Sequence, residues 1–248
     1  MLIRMEYHLQ QGLPLSYRNA SLFQGMLMQR IDRGYGEILH RSERKPYSQY
    51  LQCHEGQSIW VLQTLTDEAA AQLIDVPNLQ QDDMIHLEWL GLSAKITAVK
   101  RESLTHDGLL QQTFFAKCPR TIGLQFITPT AFKVQGRYQN YPTVQHIFSS
   151  LLQKYNAVHT QTEISDENLL EDLQRFISVI RYNLRSIGFP VEGVTIPAFL
   201  GTLVFRISGP QQLVNLVHLL LRFGTYAGVG IKTAMGMGAI RLNLKKTQ

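Results

Sequence analysis

Cysteine is scarce in this chain: its 248 residues hold only Cys53 and Cys118, far apart and in no CxxC pair. That spacing excludes a disulfide framework and the usual zinc clusters, and it fits a reducing compartment. A long apolar run is also missing. The N-terminal MLIRMEYHLQQ interrupts its hydrophobic residues with Arg4, Glu6 and His8, so it has neither the apolar centre of a signal peptide nor the ~20 residues that span a bilayer. The expectation is a soluble, cytoplasmic protein with no membrane partner. Acidic residues are outnumbered, 19 against 24 Lys and Arg, for a net charge of +5; this favours a polyanionic partner without requiring one. Hydrophobic residues are not short. At 44% of the chain they suffice for a buried core and exclude a disordered protein.

Periodicity divides the chain into two similar halves. Leu2 to Leu9 reads as a strand, and Phe23, Met26, Leu27 and Ile31 recur at helical spacing within Ala20 to Ile31. Ser48 to Cys53 and Ser58 to Thr64 form a hairpin around the turn-prone His54-Glu55-Gly56-Gln57. Thr66-Asp67-Glu68 caps a short helix through Ile74, and Leu92 to Arg101 is again extended. The second half starts with a strand over Ile122 to Thr128 that Pro129 stops, followed by a helix opened by Pro142 with Val144, Ile147, Phe148, Leu151, Leu152 and Tyr155 on one stripe. A second helix carries Leu169, Leu173, Phe176, Ile177, Ile180 and Leu184; Ile187 to Ile196 and Phe199 to Ile207 pair as strands; Pro210 to Phe223 is helical; Ala239 to Leu244 closes the sheet. The expected fold is therefore α+β, two tandem ferredoxin-like (RRM-like) βαββαβ domains. The expected domains are residues 1–117 and 118–248, divided near Cys118-Pro119-Arg120, with Leu104 to Phe115 a connecting helix that suits either half. This fold serves many functions, so it does not by itself give one.

The segment Gly228-Val229-Gly230-Ile231-Lys232-Thr233-Ala234-Met235-Gly236-Met237-Gly238 lies between a helix and a strand. Glycines tolerate positive φ and close backbone approach, so such a loop can aim amide N–H groups at phosphates while Lys232 adds charge. It is neither a P-loop nor a dinucleotide fingerprint, because the Gly-Lys-Ser/Thr ending and the strand-to-helix context are both missing. The residues alone leave a second reading, a tightly packed crossover into the last strand.

The order Gly, apolar, Gly, five residues including a Lys, Gly, apolar, Gly resembles the glycine-rich loop of the RAMP superfamily of CRISPR proteins. Phe126-Ile127-Thr128-Pro129-Thr130-Ala131-Phe132-Lys133 is similar to the segment that begins the second domain of the family's RNA-processing endoribonucleases. Leu39-His40 with Lys45-Pro46-Tyr47-Ser48 resembles their segment between the first helix and second strand, where the family's catalytic histidine commonly lies. The resemblance covers essentially the whole chain. It implies a metal-independent endoribonuclease that cuts CRISPR precursor RNA within its repeats, leaving 5′-hydroxyl and 2′,3′-cyclic phosphate ends. A non-catalytic RNA-binding subunit of a CRISPR effector complex is the alternative, and subunits of such a complex are further possible partners.

RNA can be cut without a metal when a base takes the 2′-OH proton and an acid protonates the leaving 5′-oxygen, tasks that suit histidine with its ordinary pKa of ~6.5. Of the eight histidines, His8 falls on the first strand, His146 and His218 on helices, and His54, His86, His106 and His159 in no motif. His40 lies in a polar, loop-like segment beside Arg41, Arg44 and Lys45, cations suited to holding a scissile phosphate. By the residues alone a solvated basic turn is the better reading; the resemblance selects His40. Lys45 is the candidate for transition-state stabilisation, and Tyr35 and Tyr47 are the candidates for positioning the 2′-OH or sharing the proton transfer. Arg41, Arg44, Gly228, Gly230, Lys232, Thr233, Gly236 and Gly238 are the expected RNA contacts. No cofactor and no metal site is expected.

Overall fold

The computed structural model describes residues 1–11, 15–54, 57–87, 91–160 and 162–243. Two compact units result: Met1–Leu104 with Lys232–Gly236, and Thr105–Ile231 with Met237–Gln248. The division falls between Leu104 and Thr105 rather than near Cys118, because the connecting helix packs with the later helices.

In the first unit, β1 (Leu2–Gln11) is followed by α1 (Ala20–Arg30), α2 (Arg33–Arg41), β2 (Tyr47–His54), β3 (Gln57–Thr64), α3 (Asp67–Ala70), β4 (Met84–Leu87) and β5 (Leu92–Leu104). The sheet is antiparallel with order β2-β3-β1-β5-β4. With β4 as an extra edge strand, the other four have the ferredoxin-like order. Period-two alternation sets the faces: Ile3, Met5, Tyr7 and Leu9 of β1 are buried, while Arg4, Glu6 and His8 are half-exposed. The buried face is centred on Trp60, whose ring stacks on Tyr7 at 5.0 Å and meets Phe23 of α1 at 5.3 Å. Thr66 caps α3 by accepting from the Ala69 N–H at 3.1 Å, and one wider π-type turn, Ala71–Asp75, carries the helix past Ile74. Glu55 and Gly56 of the expected β2–β3 turn lie outside the described residues.

The second unit runs α4 (His106–Gln112), β6 (Thr121–Thr130), β7 (Phe132–Val134), β8 (Arg137–Gln139), α5 (Val144–Val158), α6 (Leu169–Phe176), β9 (Ile177–Val191), β10 (Val194–Ile207), α7 (Gln211–Ala227) and β11 (Ile240–Asn243). Its four-stranded sheet has order β11-β6-β10-β9, the same ferredoxin-like order. Thr143 caps α5 through the His146 N–H at 3.0 Å, and Ile147, Phe148, Leu151, Leu152 and Tyr155 are buried. The far end of the expected last strand, Leu244, lies outside the described residues.

Three expectations are corrected here. The helix through Leu169 ends at Phe176, and Ile177, Ile180 and Leu184 belong to β9. The β-branched run Ile177, Val179, Ile180 suits an extended chain, and pairing with β10 overrides the accidental helical spacing. Ile187 to Ile196 is not one strand either. Glu192 and Gly193 both have positive φ, +50° and +77°, the backbone of a two-residue hairpin turn. Finally, β6 continues through Pro129 to Thr130. Its pairing with β10 jumps from Phe126 opposite Gly201 to Thr130 opposite Phe199, and at such an irregularity a residue without an N–H is tolerated.

Candidate active site

His40 stands in the last turn of α2, not in a loop. The helix forms because Asp32 caps it, accepting from the Tyr35 N–H at 2.9 Å, and because Tyr35 and Leu39, four residues apart, both reach the core. This phase leaves His40 and Arg41 exposed. Arg44, also exposed, pairs with Glu43 at 3.2 Å.

Lys45 closes the helix. Its Nζ donates to the carbonyl oxygens of Leu39, of Ser42 at 2.6 Å and of His40 at 3.4 Å. Carbonyls at a helix C-terminus have no partner within the helix and carry partial negative charge, so an ammonium there is favourable. Partial burial holds this lysine below its usual value. Lys45 thus reaches His40 through the backbone.

The two tyrosines are core residues. Tyr35 and Tyr47 are 5% and 1% exposed, and burial pushes each phenol up to about 12. Tyr47 also interacts with Gln24, and the Tyr35 hydroxyl has no hydrogen-bond partner among the described residues. With pKa values pushed up to about 12, both phenols stay protonated near neutral pH, and burial keeps them away from an RNA at the surface. The expectation that they position a 2′-OH is corrected on that ground.

The glycine-rich segment has most of its amides committed. The N–H groups of Gly228, Val229, Gly230, Ile231, Met235 and Gly238 donate respectively to Gly224 O, Gly238 O, Ser150 Oγ, Ala131 O, Lys232 O and Pro129 O, all within 3.0 Å. A phosphate cradle built from those groups is therefore excluded. Gly230 and Gly236 have φ of +80° and +103°, and a Cβ on either would overlap its neighbour, the Ala131 carbonyl oxygen or the Ala20 Cβ. Gly228 and Gly238 also have positive φ, +67° and +74°. Lys232 is half-buried in the left-handed region and Thr233 is buried. Packing demands these glycines.

Sequence reading missed Gln49. It is fully buried, and its Nε2 donates to the carbonyls of Ala20 at 2.9 Å and Ala234 at 3.0 Å, while its Oε1 accepts from Trp60 Nε1 at 3.0 Å. The available signal was a glutamine at an inward position, between Tyr47 and Leu51 on β2.

Two antiparallel sheets with the same strand order, one carrying an exposed histidine at a helix end and the other a glycine-rich crossover into its last strand, define a tandem ferredoxin-like protein. The family model for CRISPR-associated endoribonuclease Cas6 matches residues 124–240. A curated Streptococcus thermophilus protein of that name is 34% identical over 236 residues, covering 90% of this chain and 91% of its own length. A Mycobacterium tuberculosis protein of the same name is 33% identical over 222 residues, covering 88% and 69%. The chain belongs to the Cas6 family of CRISPR-associated endoribonucleases. Its fold matches a solved Cas6 product complex with a TM-score of 0.80 at 22% identity, over 98% of this chain and 100% of that one. Among the described residues no helix is long and apolar enough to cross a membrane.

Proposed function

We propose that this protein binds the repeat portion of a CRISPR precursor transcript and cuts one phosphodiester bond in each repeat without a metal. The 2′-oxygen attacks the adjacent phosphorus as its proton is removed. The bond to the 5′-oxygen breaks, and that oxygen takes up a proton, leaving 2′,3′-cyclic phosphate and 5′-hydroxyl ends. His40 carries the proton transfer. The observation that supports this most is an exposed imidazole at the end of α2, beside Arg41 and Arg44, in a chain of this family. A cation next to the scissile phosphate stabilises the charge that grows in the transition state. Lys45 acts by fixing the helix end that presents His40. In the glycine-rich segment, Gly228, Gly230, Gly236 and Gly238 act by shape, and half-buried Lys232 is the residue that approaches RNA, whereas Thr233 is buried.

The test is incubation of wild-type and His40→Ala protein with repeat RNA in EDTA, with end-group analysis of the products. Wild type should yield the two ends named, and His40→Ala should cleave ~10²–10⁴-fold more slowly with an unchanged thermal midpoint. A single deoxyribose 5′ of the scissile phosphate should stop cutting and spare binding. Intact RNA retained equally by both proteins would instead favour a non-catalytic RNA-binding subunit of an effector complex.

A further inference from the structure

Acidic and basic residues are segregated in the second unit in a way the cleavage reaction does not use. None of its sheet strands β6, β9, β10 and β11 contains an Asp or Glu. The unit's carboxylates lie elsewhere: Asp107 on α4, the group from Glu163 to Asp172 on and before α6, and Glu192 in the hairpin turn.

Register shows where the arginines go. Arg181 lies opposite Val204, Asn183 opposite Thr202, Arg185 opposite Leu200, and Arg241 opposite Gln125. Arg206 is two residues beyond Val204, between buried Phe205 and Ile207. Directly opposed residues share a face, and so do residues two apart. Arg181, Arg185, Arg206 and Arg241 therefore stand on one face, the side opposite the buried Phe205 and Leu203, and all four are exposed. Among the described residues Arg181, Arg185 and Arg206 form no ion pair. The equivalent face of the first unit is balanced: Arg4 pairs with Glu102 at 3.7 Å, and Glu6 lies opposite Lys100.

Like charges on neighbouring strands repel, so an arginine face without a carboxylate is best satisfied by a polyanion. The face also lacks an exposed aromatic ring on its Arg181 to Arg185 stretch, because Tyr182 lies opposite Leu203 and points the other way. RNA-recognition sheets read bases by stacking them on aromatic side chains. Along that stretch the face has arginines to hold phosphates and no exposed ring on which to stack a base.

We infer that the exposed, arginine-bearing end of this face of the β11-β6-β10-β9 sheet is a backbone-binding surface for RNA that engages phosphates independently of sequence, through Arg181, Arg185 and Arg206. Arg181 and Arg185, about 13 Å apart at ~3.3 Å per residue, reach separate phosphates. The inference deepens the RNA-binding part of the proposed function, and it does not depend on His40 being catalytic.

The experiment compares Arg181→Glu/Arg206→Glu with a charge-matched control, Lys117→Glu/Arg175→Glu, whose residues are exposed but off this face. Binding of repeat RNA and of a scrambled RNA of equal length is measured across a salt series, both RNAs carrying deoxyribose at every position that would otherwise be cut. The face variant should bind both RNAs at least ~10-fold more weakly, and its salt slope should fall by about 1.4, which is ~0.7 for each of two lost phosphate contacts on a single strand. The control should lose less than half of that effect on a logarithmic scale. Equal losses in the two variants would overturn the inference in favour of net charge, and a loss confined to the repeat RNA would overturn its sequence independence. RNA binding unchanged in the face variant would overturn it too, and would point the face toward an acidic protein. If wild type binds RNA and leaves an unmodified repeat uncut, the nuclease reading fails while the surface is still tested.

Discussion

The end of α2 and the glycine-rich segment are the two places where this sequence most resembles a site, and they are built in opposite ways. At the helix end His40, Arg41 and Arg44 are exposed, and the backbone behind them is closed off by Lys45. In the glycine-rich segment six amides are already bonded within the protein and most residues are buried. The first displays chemistry on a fixed support. The second is itself support, and its glycines mark where backbone passes too close for a side chain. A glycine-rich signature can identify a family of RNA-handling proteins while its glycines serve as support rather than as the RNA contact.

The contrast can be broken most severely at Gly230. Gly230→Ala forces a Cβ onto the Ala131 carbonyl at φ +80°, and it should destabilise the second unit by about 3 kcal/mol or more, read as a fall in its thermal midpoint. A midpoint within a degree of wild type would mean the segment yields easily and is not support. Gln49→Leu is next. It leaves buried Trp60 Nε1 and the carbonyls of Ala20 and Ala234 without their partner, at a cost of about 2–3 kcal/mol. Amide exchange around Ala234 should accelerate while the His40 helix keeps its protection; equal acceleration at both would erase the distinction drawn here. The smallest effect belongs to Lys45→Met, which uncovers the carbonyls at the end of α2 and should cost about 1 kcal/mol. If Lys45 acts through His40, kcat for cleavage should fall several-fold with RNA affinity unchanged, whereas a drop in affinity alone would make Lys45 an RNA contact.

Much of the architecture was legible because it rests on local pattern. The alternation in β1, the apolar stripe of α5 and the Thr66 cap are short-range signals that the folded chain obeys. The β9–β10 hairpin was misread because Ile177, Ile180 and Leu184 satisfy a helical spacing as well as a strand. Only pairing with β10 over the whole of Ile177–Val191 decides between them. The α2 helix was missed for the reverse reason. Its polar composition suggested a loop, and the pair Tyr35 and Leu39 that anchors it means little until a core exists for them to enter.

The sequence by itself determined the class of protein, the ferredoxin-like order of elements, and the candidacy of His40, since these depend on periodicity and on motif. Tertiary structure decided where each candidate stands and what it touches. It placed Tyr35 and Tyr47 in the core, turned Lys45 toward backbone carbonyls, committed the amides of the glycine-rich segment, and gathered Arg181, Arg185 and Arg206 from separate strands onto one face. The physical reason is that burial, hydrogen-bond saturation and shared faces are relations between residues far apart in the chain, fixed only when the strands pair.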